Sequence, residues 1–129
     1  MDLITPSLDG TILPGLTHAS ALSLADAHTS GDITLPGVPS SLKIYPREEP
    51  ITISQLLSWY SDGKVTEFFG SGTAAIVTPV NRIGWDGSDL LFPQVSEDGL
   101  GLVGRGMFEM ITSIQTGKIS FQDWSVLCA

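Results

Sequence analysis

Two short stretches carry residue types from which a small-molecule site could be built. The first is Leu13-Pro14-Gly15-Leu16-Thr17. It reads as a strand, a tight turn and the start of a helix. The first amides of a helix lack intrahelical partners and sit at the positive end of its dipole, so they can hold an anion such as phosphate. The plainer reading is that Thr17 only caps its own helix. The second stretch is Gly70-Ser71-Gly72-Thr73-Ala74-Ala75. Two glycines between apolar runs allow successive N–H groups to converge, and Ser71 and Thr73 add hydroxyls. The plainer reading there is a bulge or crossover where glycine permits close backbone packing. The loop has neither the lysine nor the spacing of a P-loop, and it is not G-x-G-x-x-G. His18, beside Thr17, could donate or accept one proton near neutral pH, or be only a first-turn helix residue.

The elements that must position these stretches are short. Leu3–Thr5 reads as a strand stopped by Pro6, and Thr11–Leu13 as a second strand after the Asp9-Gly10 turn. Thr17 is expected to cap a helix built from Ala19 to Ala27. Residues 29–41 read as a polar surface loop, followed by a strand at Leu42–Tyr45 and a charged, solvated connection at Arg47–Pro50. Thr52 and Gln55 form a capping-box pattern for a helix that ends near Asp62, with Gly63 as its left-handed stop. Val65–Phe69 is an expected strand, broken by Gly70–Thr73. Ala75–Val80 resumes one. Arg82–Trp85 and Leu90–Phe92 are expected to pair through Asp86-Gly87. Val103, Met107, Met110, Ile111 and Ile114 give a last helix one apolar face, and Gly117 ends it.

Composition bounds the function. The chain has 129 residues, 14 acids against 6 bases and a net charge of −8. The bases are scattered, so no basic stripe exists to displace counterions from nucleic acid, and an anionic membrane surface would repel the chain. A hydrophobic fraction of 42% against 16% charged excludes a disordered acidic tail. The lone cysteine, Cys128, allows no internal disulfide, and structural zinc and other metal sites are not expected. No signal peptide or long apolar run is evident, so a cytoplasmic location is expected.

Taken in order, several stretches resemble the signatures of one family. These are Thr5-Pro6-Ser7-Leu8-Asp9-Gly10-Thr11-Ile12-Leu13-Pro14-Gly15-Leu16-Thr17, then Val65-Thr66-Glu67-Phe68-Phe69-Gly70-Ser71-Gly72-Thr73-Ala74-Ala75, then Ile114-Gln115-Thr116-Gly117 and Trp124-Ser125-Val126. The chain resembles the C-terminal part of a branched-chain amino acid aminotransferase, of the class IV family that uses pyridoxal 5′-phosphate. The loop before Leu42 is similar to that of fungal members.

The resemblance implies roles. Leu16 and Thr17 match backbone binders of the cofactor phosphate. Thr73 matches a residue near that phosphate and the substrate carboxylate, and Ala74 offers a further amide. Ser71 and Gly72 complete the turn, and Thr5 faces the cofactor. The resemblance also implies what these residues lack. The family's Schiff-base lysine lies upstream of the Thr-Pro stretch, as do a glutamate for the pyridine nitrogen, a phosphate-gripping arginine and a substrate-binding tyrosine. Lys43, Lys64 and Lys118 fall elsewhere and read as solvated surface. His18 stands where the family usually has arginine.

The expected fold is α+β: a single truncated class IV-like domain over residues 1–129, with a mixed, strongly curved sheet and about three helices. The two loops are expected side by side. A stand-alone domain of this kind should not transaminate, because that chemistry needs the lysine both to hold the cofactor and to move the substrate proton. Three readings follow. One is a repurposed enzyme of fungal biosynthesis that needs no cofactor and performs a cyclisation, isomerisation or pericyclic step on a small apolar metabolite. Its candidate catalytic groups are Thr73 and His18, with Thr5, Leu16, Thr17, Phe69, Ser71, Gly72 and Ala74 as substrate contacts. Another is half of a split enzyme that uses pyridoxal 5′-phosphate, with the lysine on a second chain. The third is a non-catalytic binding remnant. A cut-down domain leaves apolar surface bare, so a homo-oligomer, most simply a dimer, is expected.

Overall fold

The computed structural model describes residues 1–92 and 96–128. In chain order these form β1 (Asp2–Thr5), α1 (Leu16–Ser30), β2 (Tyr45–Glu48), α2 (Ile53–Ser61), β3 (Phe69–Gly72), β4 (Ile76–Pro79), β5 (Arg82–Trp85), β6 (Ser88–Leu91) and α3 (Leu102–Gln115). The class is α+β, with three helices and small sheets.

The main core lies between α1 and α3. The periodic face of α3, from Val103 through Met107, Met110, Ile111 and Ile114, is buried throughout. It meets Ala21, Leu24 and Ala25 of α1, whose small residues let the two helices approach. A second cluster gathers Leu56 of α2, Leu90 of β6 and Phe92. Phe92 packs edge-on to Tyr60 and is stacked with Phe68, each with ring centres 5.4 Å apart.

Local signals explain several boundaries. The capping box is formed: the Gln55 N–H donates to Thr52 Oγ1 (3.2 Å) and the Thr52 N–H to Gln55 Oε1 (2.9 Å). The β5–β6 turn has positive φ at Asp86 (48°) and Gly87 (75°), the geometry that an Asp-Gly hairpin prefers.

Other boundaries differ from the sequence reading. The strands pair as three separate two-stranded ladders, one parallel and two antiparallel, not as one curved sheet. Thr11–Leu13 is not a strand. Asp9 instead folds the chain locally by accepting from the Thr11 N–H (2.9 Å) and hydroxyl (2.6 Å). Gly15, not Thr17, is the N-cap of α1, which places Thr17 inside the first turn. Residues 31–41 are not merely a surface loop, because Leu35 and Val38 are buried in the main core. The strand expected at Leu42–Tyr45 lies at Tyr45–Glu48, so Arg47 and Glu48 sit in a ladder rather than in a connection. Likewise Val65–Phe68 is not strand. Gly70, Ser71 and Gly72 lie within β3 instead of breaking it, and the turn falls at Thr73–Ala75.

Candidate functional site

A groove runs between β1 and β3. Its floor is the first half of α1, at His18, Ala21 and Leu22, together with Val103 at the start of α3. Its volume is about 150 Å³. That is smaller than the roughly 300–1,000 Å³ of ordinary ligand pockets.

Four of the expected site residues meet here: Thr5, His18, Phe69 and Ser71. Thr5 ends β1 and His18 stands in the first turn of α1, so strand and helix bring their side chains together. His18 Nε2 is 3.1 Å from Thr5 Oγ1 and 3.9 Å from Glu48 Oε1. The imidazole is largely shielded, at 16% exposure, whereas Glu48 is open at 44%. An imidazole nitrogen with a hydroxyl and a carboxylate on the same side can orient the hydroxyl and pass a proton at Nε2.

The remaining residues fall elsewhere. Leu16 and Thr17 border a second hollow of about 470 Å³, which α1 shares with Ile111, Ile114 and Trp124. Gly72, Thr73 and Ala74 are exposed at and beyond the end of β3 and border neither space. The part of α1 that shares a space with β3 is therefore His18–Leu22, the two loops expected side by side line no common space, and the tip of the β3–β4 turn stands out in solvent.

Sequence reasoning missed the role of Glu67. Its carboxylate accepts from the Val103 N–H (Oε1, 2.8 Å) and the Gly104 N–H (Oε2, 2.9 Å). It thus caps α3, whose own N-cap, Gly101, has no side chain to do so. The glycines explain the close approach. A Cβ at Gly101 would overlap the Glu67 carboxylate, and one at Gly104 would lie 3.2 Å from it. The available signal was a single acid in an otherwise apolar run ahead of a glycine-rich helix start.

His28 was also missed as a structural group. It is buried on α1, and its Nδ1 accepts from the Leu35 N–H at 3.1 Å. That fixes the tautomer, so Nε2 donates to the Leu42 carbonyl at 3.0 Å. One imidazole thereby ties the middle of the 31–41 segment to the residue that follows it.

No family model matches the chain, but curated relatives do. The mitochondrial branched-chain-amino-acid aminotransferase of Saccharomyces cerevisiae is 33% identical across 96% of this chain and 29% of its own length. The cytosolic enzyme of the same yeast is 36% identical across 96% and 30%. Branched-chain-amino-acid transaminase 1 of Bacillus subtilis is 36% identical across 97% and 31%. The chain is homologous to one part of the branched-chain aminotransferases. It spans about three-tenths of the length of these relatives.

The aminotransferase likeness sets a test for pyridoxal 5′-phosphate, and the described residues do not meet it. Neither the groove nor the second hollow has a lysine or arginine in its lining. Lys43 Nζ donates to the Thr29 carbonyl at 2.9 Å, and Lys64 lies 3.4 Å from Asp62. Lys118 is exposed beyond α3. The groove thus offers hydroxyls, amides and one imidazole but no side-chain amine, and the Met1 α-amine at its edge donates to the Lys43 carbonyl at 3.0 Å. Among the described residues no helix is long and apolar enough to cross a membrane, and no cluster of metal-binding side chains exists.

Proposed function

We propose that this chain forms one wall of a branched-chain-aminotransferase-like cleft, and that a second polypeptide supplies the lysine and the opposite wall. One observation carries the reading. The groove gathers Thr5, His18 and Ser71, while the three lysines of the chain all lie away from it. The exposed turn at Thr73–Ala75 agrees with a site that is unfinished until covered. In this reading the chain does not transaminate alone. Its own residues bind and orient: the His18 ring sets the Thr5 hydroxyl, and the Ser71 hydroxyl offers a hydrogen bond on the opposite side of the groove. The substrate class is that named for the relatives, branched-chain amino acids.

A second reading is favoured by His18 itself. An imidazole 3.1 Å from a hydroxyl, with a carboxylate nearby, suits a cofactor-independent isomerisation or cyclisation of a small apolar metabolite.

A borohydride trap separates the two. The chain is incubated with pyridoxal 5′-phosphate, alone and together with the remaining part of the cytosolic yeast relative expressed separately. Each mixture is reduced with borohydride and each polypeptide is weighed. The expected label is on the added polypeptide only, with transamination appearing only in the mixture. Stoichiometric labelling of Lys43, Lys64 or Lys118 overturns the proposal. Turnover of a metabolite by the chain alone without cofactor supports the second reading.

A further inference from the structure

The groove between β1 and β3 is bounded by two strand edges, and the hydrogen-bond register shows which main-chain groups face it. The Tyr45 N–H donates to the Met1 carbonyl and the Glu49 N–H to the Thr5 carbonyl. In a parallel ladder this places the main-chain groups of Met1, Leu3 and Thr5 toward β2. Those of Asp2 and Ile4 point the other way, into the groove that β1 lines along its whole length. On the far side, the Val80 N–H donates to the Phe68 carbonyl. Alternation then directs Phe68, Gly70 and Gly72 toward β4, and Phe69 and Ser71 toward the groove. Two bare strand edges therefore face one space.

The outer edges of the same ladders are different. On β2 the groups turned away from β1 belong to Pro46 and Glu48, and on β4 those turned away from β3 belong to Val77 and Pro79. Each outer edge thus carries a proline, which has no N–H to offer another strand. Neither inner edge carries one. Outward pairing is blocked on both sides, and inward pairing is open on both.

We propose that the groove is a docking site for one extended strand of the partner polypeptide, which pairs with β1 on one side and β3 on the other. The order β2–β1–strand–β3–β4 would then be a single five-stranded sheet. This rests on the reading that a second polypeptide completes the cleft. The relatives favour that occupant, since about seven-tenths of their length lies outside the matched part. Leu22, Val103 and Phe69 line the floor and one side, so the strand must place apolar residues at alternate positions toward them.

The test uses the full 129-residue chain and fluorescent peptides of about ten residues, enough for a strand of about 5–6. The peptides are tiled along the part of the cytosolic yeast relative outside the match. One apolar-alternating peptide is expected to bind, and to slow hydrogen exchange at Ile4, Phe69 and Ser71 about tenfold or more. Ile4→Pro and Ser71→Pro each delete one inward N–H while sparing the existing ladders. Each should weaken binding about fivefold to tenfold, with unchanged circular dichroism. Binding without protection at these amides overturns the proposal. So does protection that depends on the concentration of the chain alone, which would make a second copy the occupant. If no peptide binds but the separately expressed polypeptide still restores transamination, the groove assignment fails and the shared-cleft reading stands. If the polypeptide restores nothing, the shared-cleft reading fails first.

Discussion

His18 and Thr5 meet across the junction of α1 and β1, with Nε2 and Oγ1 3.1 Å apart. The pair joins the groove's helical floor to the strand that forms its wall. If its role is to set the Thr5 hydroxyl, the two side chains act as a unit. Thr5→Val and His18→Asn should each lower the rate of the reconstituted pair of polypeptides about tenfold or more, and the double variant should lose little beyond either single one. Additive losses would show that the residues act separately. The KM-against-kcat split tells orientation from binding, since a lost transition-state contact lowers kcat.

The Glu67 carboxylate takes two amides at the start of α3. Glu67→Gln keeps the size and loses the charge that meets the helix dipole, so stability should fall by about 1–2 kcal/mol in urea unfolding. Gly101→Ala should also destabilise, because its Cβ would overlap that carboxylate. With Glu67→Ala in place the overlap with the carboxylate is removed and only the 2.9 Å approach to the Cβ of residue 67 is left, so Gly101→Ala should cost clearly less than in the parent. A full cost in both backgrounds would mean that the glycine is needed for something other than Glu67.

Much of this was legible in the sequence, and the exceptions share a cause. The apolar face of α3, the Thr52–Gln55 capping box and the Asp86-Gly87 hairpin are local patterns, and all are present. The misplaced strands are those whose pairing is long-range. β2 lies at Tyr45–Glu48 because its partner β1 lies about forty residues earlier, and an Arg47–Asp2 ion pair (3.5 Å) joins the two. β3 accepts Gly70 and Gly72 because β4 supplies the ladder. For the site, four of the residues singled out in the sequence, Thr5, His18, Phe69 and Ser71, border one groove. Spacing could not show that Leu16 and Thr17 turn to another side of α1, nor that the Thr73–Ala75 turn projects into solvent.

The buried ring of His28 satisfies the Leu35 N–H and the Leu42 carbonyl at once. His28→Leu would leave both without a partner in the core. The expected loss is about 2–4 kcal/mol, from two unsatisfied buried groups of about 1–3 kcal/mol each with partial relief from water. Exchange of the Leu35 amide should become fast at the same time. A variant as stable as the parent, with Leu35 still protected, would show that the 31–41 segment is held by Leu35 and Val38 packing alone.

Asp9 makes the last prediction, because its side chain replaces the strand that the sequence suggests around Thr11. The Thr11 hydroxyl, and then the Thr11 N–H, hold the Asp9 carboxyl below its ordinary value. A carboxyl lowered in the folded chain stays ionised to a more acid pH there than in the unfolded chain. Its contribution to stability is therefore present above the ordinary carboxylate range, and is lost as pH falls through the folded value. Thr11→Val removes the hydroxyl donor and keeps the amide. The Asp9 titration followed by NMR should then move up toward the ordinary range, and the 9–13 segment should loosen at a less acid pH than in the parent. An unmoved titration would show that the amide alone holds the turn.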